Sequence, residues 1–287
     1  MKKLLVKVTM LAMALMLTAC SSSSNDVTTQ EVTSEAATTE EVATTEETAE
    51  ETPVEEAGNT TSDKVWVVGT DTVFLPFEYT NENGEFVGID VDILAAIAED
   101  QGFAYELQSL GWDGAVSAVQ AGQADAIIAG ASITEERQAS GWVFSDGYYT
   151  ATQTIAIAEE NEAADWEALR GQTVAAKNGT MGASYADSLA DEYELTVVKF
   201  DDSPTMYQDV LAGNSFACFD DAPVMAATIK QMELGLKLPE GFDNEGSDYG
   251  FAIMDEANQE LLDMFNAGLA NIIANGTYDT IVDSYLK

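Results

Sequence analysis

Positive charge is scarce in this chain: 11 Lys and Arg stand against 51 Asp and Glu in 287 residues, a formal net charge of -40. So acidic a surface repels phosphate backbones, which excludes nucleic acid as a partner. Arginine occurs only at Arg137 and Arg170, and histidine is absent. Without histidine the chain has neither the usual general base nor the commonest metal ligand. Ser-His-Asp and Cys-His triads and most zinc chemistry are therefore excluded, while carboxylate-only catalysis stays open. Nothing in the residues implies a cofactor or a metal. Cysteine is limited to Cys20 and Cys218.

What is present begins with MKKLLVKVTMLAMALMLTAC, in which Lys2, Lys3 and Lys7 precede an apolar run ending at Leu17, Thr18, Ala19 and Cys20. Residues 1–19 read as a secretory signal peptide, too short and wrongly flanked for a spanning helix. The Leu-Thr-Ala-Cys tail, followed by SSSSN, resembles the lipobox of bacterial lipoproteins. That resemblance implies that Cys20 is lipidated and opens the mature protein; ordinary cleavage beside an incidental cysteine is the alternative. Two acyl chains anchor a protein stably where one does not, so the expected location is extracytoplasmic, on the cell membrane. With Cys20 used this way Cys218 has no partner, and the fold must rest on its core rather than on a disulfide. Residues 21–62 contain no Lys, Arg or aromatic residue and are rich in Ser, Thr and Glu. Such a stretch buries too little apolar surface to offset its ordering entropy, and its like charges repel. Residues 20–63 are thus expected to be a lipidated cysteine plus a disordered acidic tether, with a root-mean-square span of about 35 Å.

Residues 64–287 suffice for one large or two small domains. Short apolar runs alternate with helical periods: VWVVG, GIDVDILAAIAEDQG, AYELQSL, DGAVSAVQAGQ and ADAIIAG, then TIAIA, DWEALRG, TVAAK, GASYADSLADEY, LTVVKF, SPTMYQDVLAG, FACFD and APVMAATIK. YGFAIM is expected to return as a strand before two closing helices. In the first helix Ile89, Ile93, Ala96, Ile97 and Ala98 form the stripe of a sheet-packed helix. The alternation predicts two α/β units with mostly parallel sheets. Open α/β sheets bind ligands beyond the carboxyl ends of their strands. The segments there are polar: Asp71 and Phe74 after the first run, Trp112 and Asp113 after AYELQSL, Gly130, Ser132 and Arg137 after ADAII, Lys177 and Met181 around TVAA, and Asp220 and Asp221 after FACF.

GTDTVFLPFEY, VGIDVDILAAIA, ADAIIAGASITEERQ, FSDGYYT, KNGTMG and NGTYDTIVDSYL resemble, in order and spacing, the extracytoplasmic substrate-binding proteins of polar amino acid ABC transporters, most nearly the glutamine-binding members. The resemblance covers essentially all of residues 64–287. It implies a two-lobe, periplasmic-binding-protein-like α/β fold with two crossover hinge strands. Lobe 1 is then discontinuous, residues 64–147 and 250–287, lobe 2 is residues 154–244, and residues 148–153 and 245–249 are the hinge strands.

An α-amino acid presents a carboxylate, an ammonium and a side chain, each needing a partner where water is excluded. By the resemblance, Arg137 takes the carboxylate, its fork suited to two parallel charge-assisted bonds, helped by backbone N–H groups at Ser132 and Met181. The alternative is an exposed helix-start arginine paired with Glu135 or Glu136, behind Thr134 as the cap. Asp221, the Gly130 carbonyl and the Ser132 hydroxyl take the ammonium; Asp221 otherwise reads as a helix N-cap before Ala222 and Pro223. Phe74 and Trp112 are aromatic walls for the side chain, or else core. Asp71 and Lys177 read its tip, a pairing that matches a carboxamide. Asp220 stands where the glutamine-binding pattern has histidine, and an extra acid there suits arginine or lysine instead. The expected protein is a monomer, not an enzyme, that carries a polar L-amino acid, glutamine by preference and otherwise arginine or lysine, to a transporter permease. A cyclohexadienyl dehydratase-like enzyme on the same scaffold and a sensor acting through a partner are the competing readings.

Overall fold

The computed structural model describes residues 64–287; the expected signal peptide, Cys20 and the tether lie outside the described residues. The first apolar run becomes β1 (Val65–Thr70), followed by a ribbon of β2 (Tyr79–Thr80) and β3 (Phe86–Val87), then α1 (Ile89–Gln101), β4 (Ala104–Ser109), α2 (Trp112–Gln120), β5 (Ala126–Ile127), α3 (Glu135–Ala139) and β6 (Val143–Phe144). Next come β7 (Tyr149–Ala151), β8 (Gln153–Ala158), a 3-10 turn (Trp166–Leu169), β9 (Thr173–Lys177), α4 (Met181–Tyr193), β10 (Thr196–Phe200), α5 (Ser203–Leu211), β11 (Ala217–Asp221), α6 (Ala222–Gln231) and β12 (Leu236–Lys237). The chain closes with β13 (Ser247–Tyr249), β14 (Ala252–Ile253), a 3-10 turn (Glu256–Asn258), α7 (Gln259–Ala274) and α8 (Thr277–Leu286).

These elements build two lobes. One sheet has the order β4-β1-β5-β14-β6, the other β10-β9-β11-β8-β12. Each is parallel where consecutive βα units supply it, as β4-β1-β5 and β10-β9-β11. Each turns antiparallel where the linking segments return: β14 against β5 and β6, and β8 against β11 and β12. The sheets are therefore mixed rather than mostly parallel, because a strand that enters from a crossover arrives from the opposite end. YGFAIM contributes only the two residues of β14, and DWEALRG only a single 3-10 turn. The link is β7 paired antiparallel with β13, Tyr149 opposite Tyr249 and Ala151 opposite Ser247.

The first lobe's core is the stripe that the helical period predicts. Ile89, Ile93 and Ile97 of α1 are fully buried with Leu94, against Leu261, Leu262 and Phe265 of α7. Gly268 lets the two helices close up, since a Cβ there would stand 2.7 Å from Ile97 Cγ2. In the second lobe Ile155, Ile157, Val174 and Phe219 are fully buried under Trp166 and Tyr185. Each such side chain contributes roughly 1.5–3 kcal/mol by leaving water. Cys218 lies in this interior as a free thiol. Close approach also sets the cleft: a Cβ on Gly182 would come 2.6 Å from the Phe219 carbonyl oxygen, so glycine brings the start of α4 directly over β11.

Candidate functional site

Polar segments after β1, β4, β5, β9 and β11 meet between the lobes and line a small cavity. Its wall carries Asp71, Phe74, Trp112, Gly130, Ser132, Arg137, Lys177, Met181 and Asp221, together with Ala129 and Thr180. Ten candidates for the cleft were read from sequence, and Asp220 is the one that this wall lacks. A larger groove runs between Val73 and Leu75 on one side and Tyr207, Val224 and Met232 on the other, without a charged side chain. The charged side chains line the smaller cavity.

Arg137 sits in the first turn of α3, where Thr134 caps the helix by accepting from the Arg137 N–H at 3.1 Å. The helix-start reading is thus correct for the backbone, while the side chain does something else. Its Nη1 donates to the Ser132 carbonyl at 2.8 Å and its Nη2 to the Gly179 carbonyl at 3.2 Å. The guanidinium lies 4.9 Å from the Trp112 ring centre and 5.3 Å from that of Trp142. Among the described residues no carboxylate comes within ion-pair distance, Glu135 and Glu136 included. Burial pulls its pKa down to about 10, so it remains a cation at neutral pH. A desolvated cation held only by neutral carbonyls and ring faces is an arrangement that calls for an anion.

Asp221 ends β11 at the N-cap position of α6, yet its side chain makes no capping bond. It accepts instead from Gln153 Nε2 and from the Tyr249 hydroxyl. Burial, reinforced by the neighbouring Asp220, pushes its pKa up to about 7 against those two donors. It is the counterpart of Arg137: a buried acid whose bonding partners are all neutral.

Asp220, expected beside the ligand's side chain, faces the other way. Its carboxyl accepts from Ser203 Oγ and the Tyr207 hydroxyl of α5, both at 2.9 Å, and from the Asp221 N–H at 2.9 Å. Successive side chains of a strand point to opposite faces. With Asp221 turned to the cleft, Asp220 must enter the α5 layer.

Lys177 is almost wholly buried and pairs with the Asp71 carboxylate across the cleft, its Nζ 5.4 Å from the Phe74 ring centre. The other Asp71 oxygen accepts from the Thr72 N–H at 2.6 Å. Phe74 and Trp112 are 5 % and 6 % exposed, so they serve the core and the cavity wall at once. Gly130 has φ +54, and a Cβ there would collide with Phe74 Cε1 at 2.4 Å, so only glycine fits. Thr180 caps α4, leaving the helix start at Met181 on the wall.

Several bonds cross between the lobes. Trp112 Nε1 shares the Gly179 carbonyl with Arg137, at 3.1 Å, and Asn178 Nδ2 donates to Asp113 at 3.1 Å. The lobes are therefore shut. Sequence reading missed Gln153 and Tyr249, which hold Asp221, and Trp142, the second ring beside Arg137. None lies in a polar strand-end motif; Gln153 reaches Asp221 because β8 pairs with β11, and Tyr249 because linking strand β13 passes beside it. Among the described residues no cluster of three His, Cys, Asp or Glu side chains offers a metal site.

A sequence model of the bacterial extracellular solute-binding proteins, family 3, matches residues 66–287. The arginine-binding periplasmic protein of Mannheimia haemolytica is 30% identical over 226 residues, covering 77% of this chain and 90% of that protein. Among solved structures, substrate binding domain 2 of Lactococcus lactis GlnP in its open conformation is 40% identical and covers 80% of this chain and 98% of its own, with a TM-score of 0.56. An ancestral arginine-binding protein bound to glutamine is 34% identical, covers 77% and 97%, and reaches a TM-score of 0.70. The more similar sequence superposes less well when its lobes are open, as a shut arrangement in this chain requires.

The Asp221 environment has a measurable consequence. Its folded-state pKa, about 7, lies above the ordinary value of 3.8. Stability is therefore fully present below the lower value and is lost as pH rises toward the upper one. In thermal melts of the ligand-free protein, Asp221→Asn should gain on the wild type by roughly 3–5 °C per pH unit across that window and level off above it. A difference that does not change with pH would contradict the assignment.

Proposed function

Because the chain belongs to the bacterial extracellular solute-binding proteins, family 3, we propose that it captures an α-amino acid outside the membrane, with glutamine preferred, and hands it to the permease of an ABC transporter. One observation carries this reading: Arg137 and Asp221 place opposite charges on the wall of one cavity, and each has only neutral bonding partners. A zwitterion supplies both missing partners. Its carboxylate meets the Arg137 fork with the N–H groups of Ser132 and Met181. Its ammonium meets Asp221, the Gly130 carbonyl and the Ser132 hydroxyl. Phe74 and Trp112 flank the aliphatic stem.

The choice of glutamine rests on the Lys177–Asp71 pair. The pair is neutral as a whole, offering acceptor oxygens beside a donor ammonium, and a carboxamide complements both. An arginine or lysine side chain brings a second cation against Lys177 in a low-dielectric cleft. The arginine in the Mannheimia relative's name is the alternative. Asp220, turned into the second lobe, supplies no extra acid to the cavity wall in favour of a cation.

Calorimetric titration with the twenty amino acids tests the reading. Glutamine should bind tightest, at one site per chain. Arg137→Ala should weaken it by at least a hundredfold, since removing one partner of a buried charge pair costs about 3–5 kcal/mol. Lys177→Met should narrow the margin over arginine. Heat from arginine alone in the wild type would overturn the ligand choice.

Cys20, outside the described residues, is proposed as the lipid anchor that keeps the protein at the cell surface. No helix of the described residues is long and apolar enough to cross a membrane. Cys20→Ser should move the protein from the membrane fraction to the medium; retention on the membrane would contradict the anchor.

A further inference from the structure

Behind the cavity wall lies a second pair of acids with no assigned role. Glu78 is 0 % exposed, and among the described residues neither of its carboxyl oxygens has a hydrogen-bond donor. Asp90, also 0 % exposed, has one oxygen in the same condition. Its other oxygen, Oδ2, accepts from the Gly130 N–H and the Tyr148 hydroxyl, both at 2.8 Å. The backbone forces the two acids together. Gly88 packs so tightly on the preceding turn that a Cβ would stand 2.0 Å from the Phe77 carbonyl oxygen, and the Asp90 N–H donates to that same oxygen at 2.9 Å. The Glu78 and Asp90 carboxyls are left within hydrogen-bonding reach of each other.

Three buried acceptor oxygens without donors are costly, and two full negative charges side by side at this depth cost more. A single proton between the acids removes one charge and satisfies two of the three oxygens. Asp90 is the better site for the remaining charge, because Gly130 and Tyr148 already donate to it. We propose that Glu78 is a positioning residue that holds a proton at neutral pH and donates it to Asp90 Oδ1, fixing Asp90 as the clamp between the Gly130 loop and the linking strand. Gly130 lies on the cavity wall, and Tyr148 directly precedes β7. The Tyr148 carbonyl is held in turn by the Tyr278 hydroxyl of α8. The part of this inference that concerns ligand capture rests on the amino acid reading of the cleft, through the Gly130 carbonyl.

Other groups facing the pair are consistent with that assignment. Burial, then Asp90 and Asp71, hold the Glu78 carboxyl well above its ordinary value of 4.5, and Lys177 opposes them. Burial raises Asp90 only to about 6, because Gly130 and Tyr148 stabilise its charge. Tyr148 and Tyr278 remain protonated, both pushed up chiefly by burial. The sign follows: the folded chain keeps a proton that the unfolded chain releases, so this contribution to stability declines as pH rises above the ordinary glutamate range.

Three measurements on the full chain test the proposal. At pH 7 the infrared carbonyl band of protonated carboxylic acids should be stronger in the wild type than in Glu78→Gln by the intensity of one group, the Asp221 contribution being common to both. In thermal melts Glu78→Gln, whose amide donates without titrating, should gain several degrees on the wild type between about pH 5 and pH 7. In calorimetry with glutamine the same variant should stay within about threefold of the wild type, while Glu78→Ala loses at least tenfold. Equal bands in the wild type and Glu78→Gln, a stability difference that ignores pH, or equal losses in the two variants would overturn it. If Glu78→Ala does not fold, the Glu78→Gln spectrum and melts decide. If the wild type fails to bind glutamine while band and pH slope are as expected, the ligand reading of the cleft falls and the shared proton stands.

Discussion

A cation and an acid that the protein does not neutralise face one cavity, and the rest of the cleft is arranged around that deficit. Arg137 is held by two carbonyls and two indole faces, Asp221 by an amide and a phenol. Both groups are oriented, and neither meets an opposite charge within bonding distance. Shutting the lobes takes both out of water, which is unfavourable while they lack partners. A small zwitterion supplies one charge for each. On this account the selectivity for a backbone common to all α-amino acids, and the gain from closing, come from the same pair.

The fold makes this possible by using glycine where two segments must nearly touch. At Gly130 the loop after β5 passes against Phe74, and at Gly182 the start of α4 rests on β11. The Asp90 clamp adds a second layer behind the wall. It connects the Gly130 loop on the cavity wall with Tyr148, just before the strand that links the lobes. The Lys177–Asp71 pair bridges the cleft on the same wall, and in the proposed reading its neutrality bears on which side chain is admitted.

Much of this was legible in the sequence because strand ends in α/β sheets carry function and because Thr-Glu-Glu-Arg announces a helix start. The α1 stripe and the order of the longer strands and helices followed from periodicity, whereas the linking strands came only from the family resemblance and the short β2, β3, β6 and β12 were not read. The two acids of FACFDD were harder. All five residues of β11 are buried, so no alternation of polar and apolar residues shows which acid faces the cleft. Only the pleat, fixed by pairing with β8 and β9, separates Asp221 from Asp220. Gln153 and Tyr249 were invisible for another reason. They lie 68 and 28 residues from Asp221, and meet it only because β8 pairs Gln153 opposite Asp221 and linking strand β13 brings up Tyr249. The Glu78–Asp90 pair was hidden in motifs that read as turn and helix start, and it emerged from missing hydrogen-bond donors rather than from any pattern of residue types.

The most direct measurement is a crystal structure of the protein grown with glutamine. The account predicts the ligand carboxylate in bidentate contact with the Arg137 guanidinium and the ammonium within hydrogen-bonding distance of the Asp221 carboxylate, in the same cavity. A ligand bound outside that cavity, or one whose ammonium and carboxylate leave both residues unpartnered, would contradict it.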